Sequence, residues 1–272
     1  MKMELESKSP LITILMIVRN EERFLNYALD SILASSFESF ELIVINDAST
    51  DKTSKILETV SLRDNRCRVL DNNTQIGLAA SLNKAFRCSK GEFIARMDGD
   101  DICHIERLMS QYQFLNQNPD IDILGCNAKL IDDEGNTLGH TNVRRNHLEI
   151  IKQLNYRCPM IHPSIVMKRE VFKKVGGYNA NLKRAQDFDF WINAKNLGYK
   201  FANLKEEFLQ YRVPVKPNLN VALVTFFSHM SISKRQRNFI LFVYSFFELL
   251  IFLVKFISFT GNNFLSFIKS RL

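Results

Sequence analysis

Three carboxylates within four residues, Asp98, Asp100 and Asp101, directly follow an apolar run and share their stretch with Arg96 and Gly99. In an extended or turning backbone, residues i and i+2 project to the same side. Asp98 and Asp100 can therefore converge on one point, while Gly99 lets a ligand approach the main chain. Hard oxygen donors with no Cys or His pair beside them suit Mg²⁺ or Mn²⁺ rather than Zn²⁺, and such ions complete their shell with water and substrate phosphate. Asp and Gly are also ordinary turn and cap residues. Taken alone, residues 96–101 read equally well as an acidic turn capping a helix that begins near His104.

The elements around this stretch decide what it can meet. Residues 11–18 form a continuous β-branched-rich run of the kind found in a strand buried on both faces, closed by Arg19-Asn20-Glu21-Glu22. Phe24, Leu25, Ala28, Leu29, Ile32 and Leu33 then recur at helical spacing. The unit repeats: strand 40–45, polar loop 46–51, helix 52–62 with Thr50 or Asp51 as N-cap, strand 67–70, a Gly77 turn and helix 79–88. Residues 93–97 make the fourth strand. Such alternation predicts a parallel sheet with helices on both faces and ligands beyond the carboxyl ends of the strands, so loops 19–22, 46–51 and 98–101 should share one rim. The alternation stops after helix 105–116. Strands at 121–126 and 128–131, a hairpin turn at 133–136, helix 148–154, strand 165–167 and helix 169–175 follow. A helix ending near Gly198 and short strands 199–204 and 208–213 complete the globular part.

The ordered pieces 16–21, 44–51, 77–83, 95–101, His162-Pro163-Ser164, Gln186-Asp187-Phe188-Asp189-Phe190-Trp191 and Tyr211-Arg212 resemble the inverting glycosyltransferases of GT-A fold, particularly the family 2-like bacterial enzymes that build O-antigen and capsular polysaccharides. The resemblance covers about residues 11–213. It implies a Rossmann-like, mostly parallel sheet in a domain of residues 1–213, with a nucleotide-binding half (11–101) and an acceptor half (102–213). It also implies roles. Asp47 would bond the N3–H of uracil, while Arg19, Asn20, Glu22, Gly77, Asn83 and Arg96 would line the pocket of a UDP-sugar. Asp98 and Asp100 would be the DxD motif that holds Mn²⁺ or Mg²⁺, leaving Asp101 as a structural cap. Arg96 would add fixed positive charge or pair with one of these aspartates.

Asp187 would be the general base that takes a proton from the acceptor hydroxyl. The family usually has Glu-Asp where this chain has Gln186-Asp187, which bears on the acceptor contacts. Asp189 would cap its helix. His162, Gln186 and Trp191 would touch donor or acceptor sugar, with core packing the competing role for Trp191. Tyr211-Arg212 matches the family's closing strand.

The remaining features bound the setting. The formal charge of +7 over 272 residues is spread along the chain with no basic block interleaved with aromatics, so nucleic acid is not the expected partner. Five cysteines without CxxC spacing read as reduced cytosolic thiols, and residues 1–10 lack an apolar signal region. Residues 214–272 form an apolar, basic helical tail. Its 239–259 run is long enough to span a bilayer, but Glu248 and Lys255 inside it are costly there, which keeps an interfacial helix in competition, and a buried helical hairpin or dimer contact stays open. The expected setting is the cytoplasmic face of a bacterial inner membrane, with a glycan acceptor carried on a polyprenyl diphosphate. Two alternatives remain. One is a sugar-nucleotide nucleotidyltransferase, which would normally carry a glycine-rich loop where this chain has Arg19-Asn20-Glu21-Glu22. The other is a catalytically inactive sugar-nucleotide or glycan-binding subunit of a membrane complex.

Overall fold

The computed structural model describes residues 9–214, 216 and 218–269, with side chains described through residue 257. Most of the polar N-terminus (residues 1–8) and the basic Arg271 lie outside the described residues.

The first half is built as its patterning dictates. Strands β1 (Ile12–Val18), β2 (Phe40–Asn46), β3 (Cys67–Asp71) and β4 (Phe93–Asp98) pair in parallel in the order β3-β2-β1-β4. The crossovers are α1 (Leu25–Leu33), α2 (Thr53–Arg63) and α3 (Leu78–Cys88). Successive residues of a strand face opposite sides, which divides the core into two layers. Ile12, Ile14, Met16 and Val18 meet Leu25, Ala28, Leu29 and Ile32 of α1, whereas Leu15, Ile43 and Ile45 meet Ala79, Leu82 and Ala85 of α3. The register pairs Val18 with Asn46 and Ile17 with Asp98, so the strands end level and the three polar loops do share one rim.

The second half turns the sheet mixed. It comprises β5 (Ile102–Cys103), α4 (Arg107–Gln117), β6 (Ile123–Ile131), β7 (Thr137–His140), α5 (His147–Gln153), a 3-10 turn at His162–Ser164, β8 (Val166–Lys168), α6 (Arg169–Val175), α7 (Gln186–Asn196) and β9 (Phe201–Arg212). β8 runs antiparallel to β4 and joins the halves, and the sheet continues β8-β6-β9-β5 with β7 on the side of β6. The short strands expected at 121–126 and 128–131 are one strand, and those at 199–204 and 208–213 are another. β6 and β9 pair in parallel along their lengths, and register shifts around Asn127 absorb the irregularity that looked like two breaks. The Asn127 amide fills that gap, donating to the Lys205 carbonyl (3.0 Å) and accepting from the Val143 N–H (2.9 Å). The 133–136 turn does close a hairpin, between β6 and β7.

A buried polar bolt ties the halves behind the rim. Arg107, 1% exposed, donates to the Arg96 carbonyl (2.9 Å) and to Gln111 (3.1 Å), and Gln111 donates to the Ser164 carbonyl (2.8 Å). A buried charge is tolerated only when its donors are matched in this way.

The tail is a hairpin of α8 (Leu219–Gln236) and α9 (Phe239–Lys269). Ile232 and Leu241 enter the α7 layer of the core, and the Asn238 amide donates to the Asn155 carbonyl (2.9 Å). Asp189 does not cap α7. Ala185 holds the N-cap position, and the Asp189 carboxylate, 2% exposed, pairs with Arg235 of α8. Along α9 the outward face, including Phe242, Phe246, Leu250 and Val254, is exposed, and its 19-residue span Phe239–Ile257 is long and apolar enough to cross a membrane.

Candidate active site

The rim loops are tied to one another before any ligand is considered. The Asn20 side chain accepts from the Thr50 N–H (2.8 Å), Glu22 accepts from the Lys52 N–H (3.0 Å), and Asp51 accepts from the Glu22 N–H (3.1 Å). Asn20 (φ 57°), Ala48 (φ 56°) and Ala185 (φ 56°) take the left-handed conformation, which costs an L-residue about 1–2 kcal/mol. Two of these three strained positions lie in the rim loops, and the third immediately precedes the Gln186-Asp187 pair. Asp47, 3% exposed, accepts from the Ile76 N–H (2.9 Å), the Gly77 N–H (2.8 Å) and the Asn72 amide (2.8 Å). It thereby fixes the loop that enters α3, and Gly77 (φ 86°) supplies the positive φ that turn requires.

Asp98, Asp100 and Asp101 sit at the end of β4, with one carboxylate oxygen from each lying within 4.8 Å of the others. Asp101 is not a helix cap. It is fully buried, one oxygen accepts the Arg212 N–H (2.9 Å) across the sheet, and its Oδ2 has no partner. Gly99 serves packing, since a Cβ there would lie 2.6 Å from Val18 Cγ1. Glu21 joins the acidic group. Burial, then the charges of Asp100 and Asp98, push its carboxyl up to about 7. Burial and the Asp98 charge raise Asp100 to about 6. Carboxylates crowded this way favour a divalent cation, and the all-oxygen donor set with an orphaned buried oxygen fits Mg²⁺ or Mn²⁺. Glu21 escaped the sequence reading of the site because its contribution depends on β1 and β4 ending side by side; its place in the Arg19–Glu22 loop was the available signal.

Asp98 also pairs with Arg96, which is 4% exposed, so of the two roles open to Arg96 the ion pair is made. Both line a cavity of about 750 Å³ together with Gly77, His162, Gln186, Asp187 and Tyr211. Residues 98 and 187 are thus brought to one space from opposite ends of the domain. Burial raises the Asp187 carboxyl, opposed by the Phe188 N–H and by the charge of Arg96. His162 bonds Tyr178 Oη (2.8 Å), and burial, with Arg96 nearby, lowers its pKa well below the ordinary imidazole value. Gln186 donates its amide to the Leu182 carbonyl (2.9 Å). An ionised Glu there would oppose that oxygen, which accounts for the Gln in this chain. Lys183 and Arg184 also line the cavity. These two went unremarked in the sequence, although they stand just before Gln186-Asp187.

The remaining expected site residues stand apart from this cavity. Trp191 is 0% exposed and packs edge-on against Phe190, Phe201 and His162, so its ring has no face open to a sugar. Asn83 turns away from the cavity, bonding the Tyr178 N–H and carbonyl (both 2.8 Å) to hold the Gly176-Gly177 turn. Arg19, Asn20 and Glu22 do not line the cavity, and Arg19 is exposed. Arg212 is committed to structure. It donates to the Asp100 carbonyl (2.9 Å) and to that of Asp132, with its guanidinium 4.0 Å from the Phe24 ring centre.

Comparison with known proteins points one way. The model for "Glycosyl transferase family 2" matches residues 13–176. An uncharacterized glycosyltransferase of Methanocaldococcus jannaschii is 32% identical over 78% of this chain and 74% of its own length. The O-antigen biosynthesis glycosyltransferase WbnJ of Escherichia coli is 31% identical over 78% of this chain and 84% of its own. Among solved structures, the mannosyltransferase PcManGT of Pyrobaculum calidifontis, in complex with GDP-Man and Mn²⁺, superposes with a TM-score of 0.67 at 17% identity, covering 94% of this chain and 76% of that one. Residues 1–349 of S. aureus TarS, in complex with UDP-GlcNAc, give 0.64 at 19% identity, covering 87% and 72%.

Proposed function

The chain belongs to glycosyl transferase family 2 and is a glycosyltransferase, and from that premise we propose that it moves a sugar, with inversion, from a nucleoside diphosphate to a hydroxyl of a lipid-linked surface glycan. UDP is the expected nucleoside diphosphate. The observation that carries this reading is one cavity lined by both Asp98 and Asp187, the first a member of a carboxylate cluster able to hold a cation and the second a half-buried carboxylate that accepts only weakly from the Cys158 thiol (3.8 Å).

Asp187 accepts the proton of the acceptor hydroxyl as that oxygen attacks the anomeric carbon, and the bond from this carbon to the diphosphate oxygen breaks with its electron pair leaving on the diphosphate. Burial makes Asp187 a stronger base than an exposed aspartate, and the Phe188 N–H and the fixed charge of Arg96 oppose that rise. Asp98, Asp100 and Asp101 would hold the Mn²⁺ or Mg²⁺, with Glu21 adjoining. When bound, the cation supplies neutralisation of the charge that develops on the departing diphosphate. The backbone at Gly77, positioned by Asp47, offers the close approach a nucleotide requires. The exposed apolar face of α9 supports membrane association, and the side assigned is the cytoplasmic one because nucleotide sugars are at hand there.

Asp187→Asn should reduce transfer by about 10²-fold or more, the scale of a lost general base, while calorimetric binding of UDP in Mn²⁺ persists. Unchanged turnover in that variant would remove Asp187 from the role.

A further inference from the structure

A second cavity of about 720 Å³ lies within the tail hairpin and reaches Arg184 of the catalytic half, and it falls in the size range of about 300–1,000 Å³ usual for ligand sites. Its walls carry apolar side chains of the two helices, among them Ala222 and Phe226 of α8 and Leu249 and Phe252 of α9. Three cations, Arg184, Lys216 and Lys255, line it against one carboxylate, Glu248. α8 and α9 fold back on each other from the turn at Arg237 and Asn238. Lys255 therefore lies level with the start of α8, which Lys216 precedes, and Glu248 lies closer to the turn. Lys216 and Lys255 thus stand toward the end of the groove away from the turn, while Asn218, Thr225, His229, Tyr244 and Ser245 interrupt its apolar walls. Arg184 lines this groove and also the cavity that contains Asp98 and Asp187, so the two spaces adjoin.

We propose that this groove binds the hydrocarbon chain of the acceptor lipid, with the lipid's phosphate held among Arg184, Lys216 and Lys255 at the border of the catalytic cavity. The occupant is a single-chain polyprenyl lipid whose head carries one or more phosphates, as distinct from a two-chain bilayer phospholipid. A guanidinium and two ammonium groups in the lining suit phosphate oxygens, and the apolar helix faces suit the chain. The outward face of α9, with Phe246 and Leu250 exposed, lies beside the groove and offers contact with a bilayer from which such a lipid would enter. The assignment rests on the reading of the chain as a transferase with a lipid-linked acceptor, and it gives α8 and α9 a part in substrate binding besides attachment.

The test is photolabelling of the full chain in detergent micelles with three probes carrying a diazirine in the chain: a polyprenyl phosphate, the uncharged polyprenol and phosphatidylglycerol. Polyprenyl phosphate should label groove-lining residues such as Ala222, Phe226, Leu249 and Phe252, whereas phosphatidylglycerol should label outward positions such as Leu250 and Val254. Ala222→Phe, which fills the groove, should cut polyprenyl phosphate labelling at least tenfold while UDP binding in Mn²⁺ is unchanged. Lys216→Glu should cut labelling by the phosphate and leave that by the polyprenol as it was. Identical labelling patterns from the phosphate and phosphatidylglycerol, or undiminished labelling in Ala222→Phe, would overturn the proposal. Failure of the wild-type chain to bind UDP would instead overturn the catalytic reading, and the labelling pattern would still decide the groove.

Discussion

Arg235→Ala should destabilise the protein by about 2–3 kcal/mol, and the estimate follows from what it strands. Asp189 lies in the first turn of α7, where its carboxylate is 2% exposed and faces Arg235, whose side chain is 44% exposed. Removing one partner of a fully buried pair costs about 3–5 kcal/mol, because the other charge is left without compensation. Here the arginine side is open to solvent, so water can refill part of the gap, and the Asn193 amide already reaches the other Asp189 oxygen at 3.5 Å. Both effects lower the figure. For a chain of this size each kcal/mol moves the melting temperature by about 2–4 °C, giving a fall of about 4–12 °C. Thermal unfolding of the purified protein in a fixed detergent would measure it. The double variant Asp189→Asn/Arg235→Ala removes the stranded charge and should recover at least half of the loss. A single variant that melts within about 1 °C of wild type, or a double variant no better than the single, would refute the claim that this pair bolts α8 to the helix that carries Asp187.

Two further outcomes follow from the geometry. Trp191→Phe should lower stability by about 1–3 kcal/mol through the volume lost from the core while leaving the KM for donor and acceptor unchanged; a rise in acceptor KM with normal stability would restore the ring to a sugar-binding role. Glu21, near 7, and Asp100, near 6, bind their protons more tightly folded than unfolded. Their contribution to the stability of the metal-free protein is therefore fully present below about pH 4 and is lost as pH rises through 6 and 7. Mn²⁺ requires the ionised ligands, so its affinity should increase across the same window, with proton release on binding. Calorimetric titrations in buffers of different ionisation enthalpy would read this directly, and a flat affinity without proton release would count against Glu21 and Asp100 as members of the cation site.

How much was legible beforehand differs residue by residue. The buried strands and their crossover helices could be read locally, because an element buried on both faces must be apolar throughout and a crossover helix must carry an apolar stripe. The shared rim followed, since strands that run parallel end on the same side. By contrast, β6 and β9 looked like broken strands because the pairing that absorbs the Asn127 irregularity comes from a segment far along the chain. Gly99 suggested ligand access until Val18 was found packed against it.

The sequence by itself determined which residues can ionise, coordinate or turn, and it carried enough ordered motifs to indicate a family and to single out Asp98 and Asp187. Only the tertiary structure decided how the acidic residues divide their work. It placed Asp101 against the Arg212 backbone, brought Glu21 beside Asp98 and Asp100, committed Asp189 to Arg235 and buried Trp191. The physical reason is that a side chain's type and local spacing fix its chemistry, whereas its charge state, exposure and partner depend on groups that only the folded chain brings near.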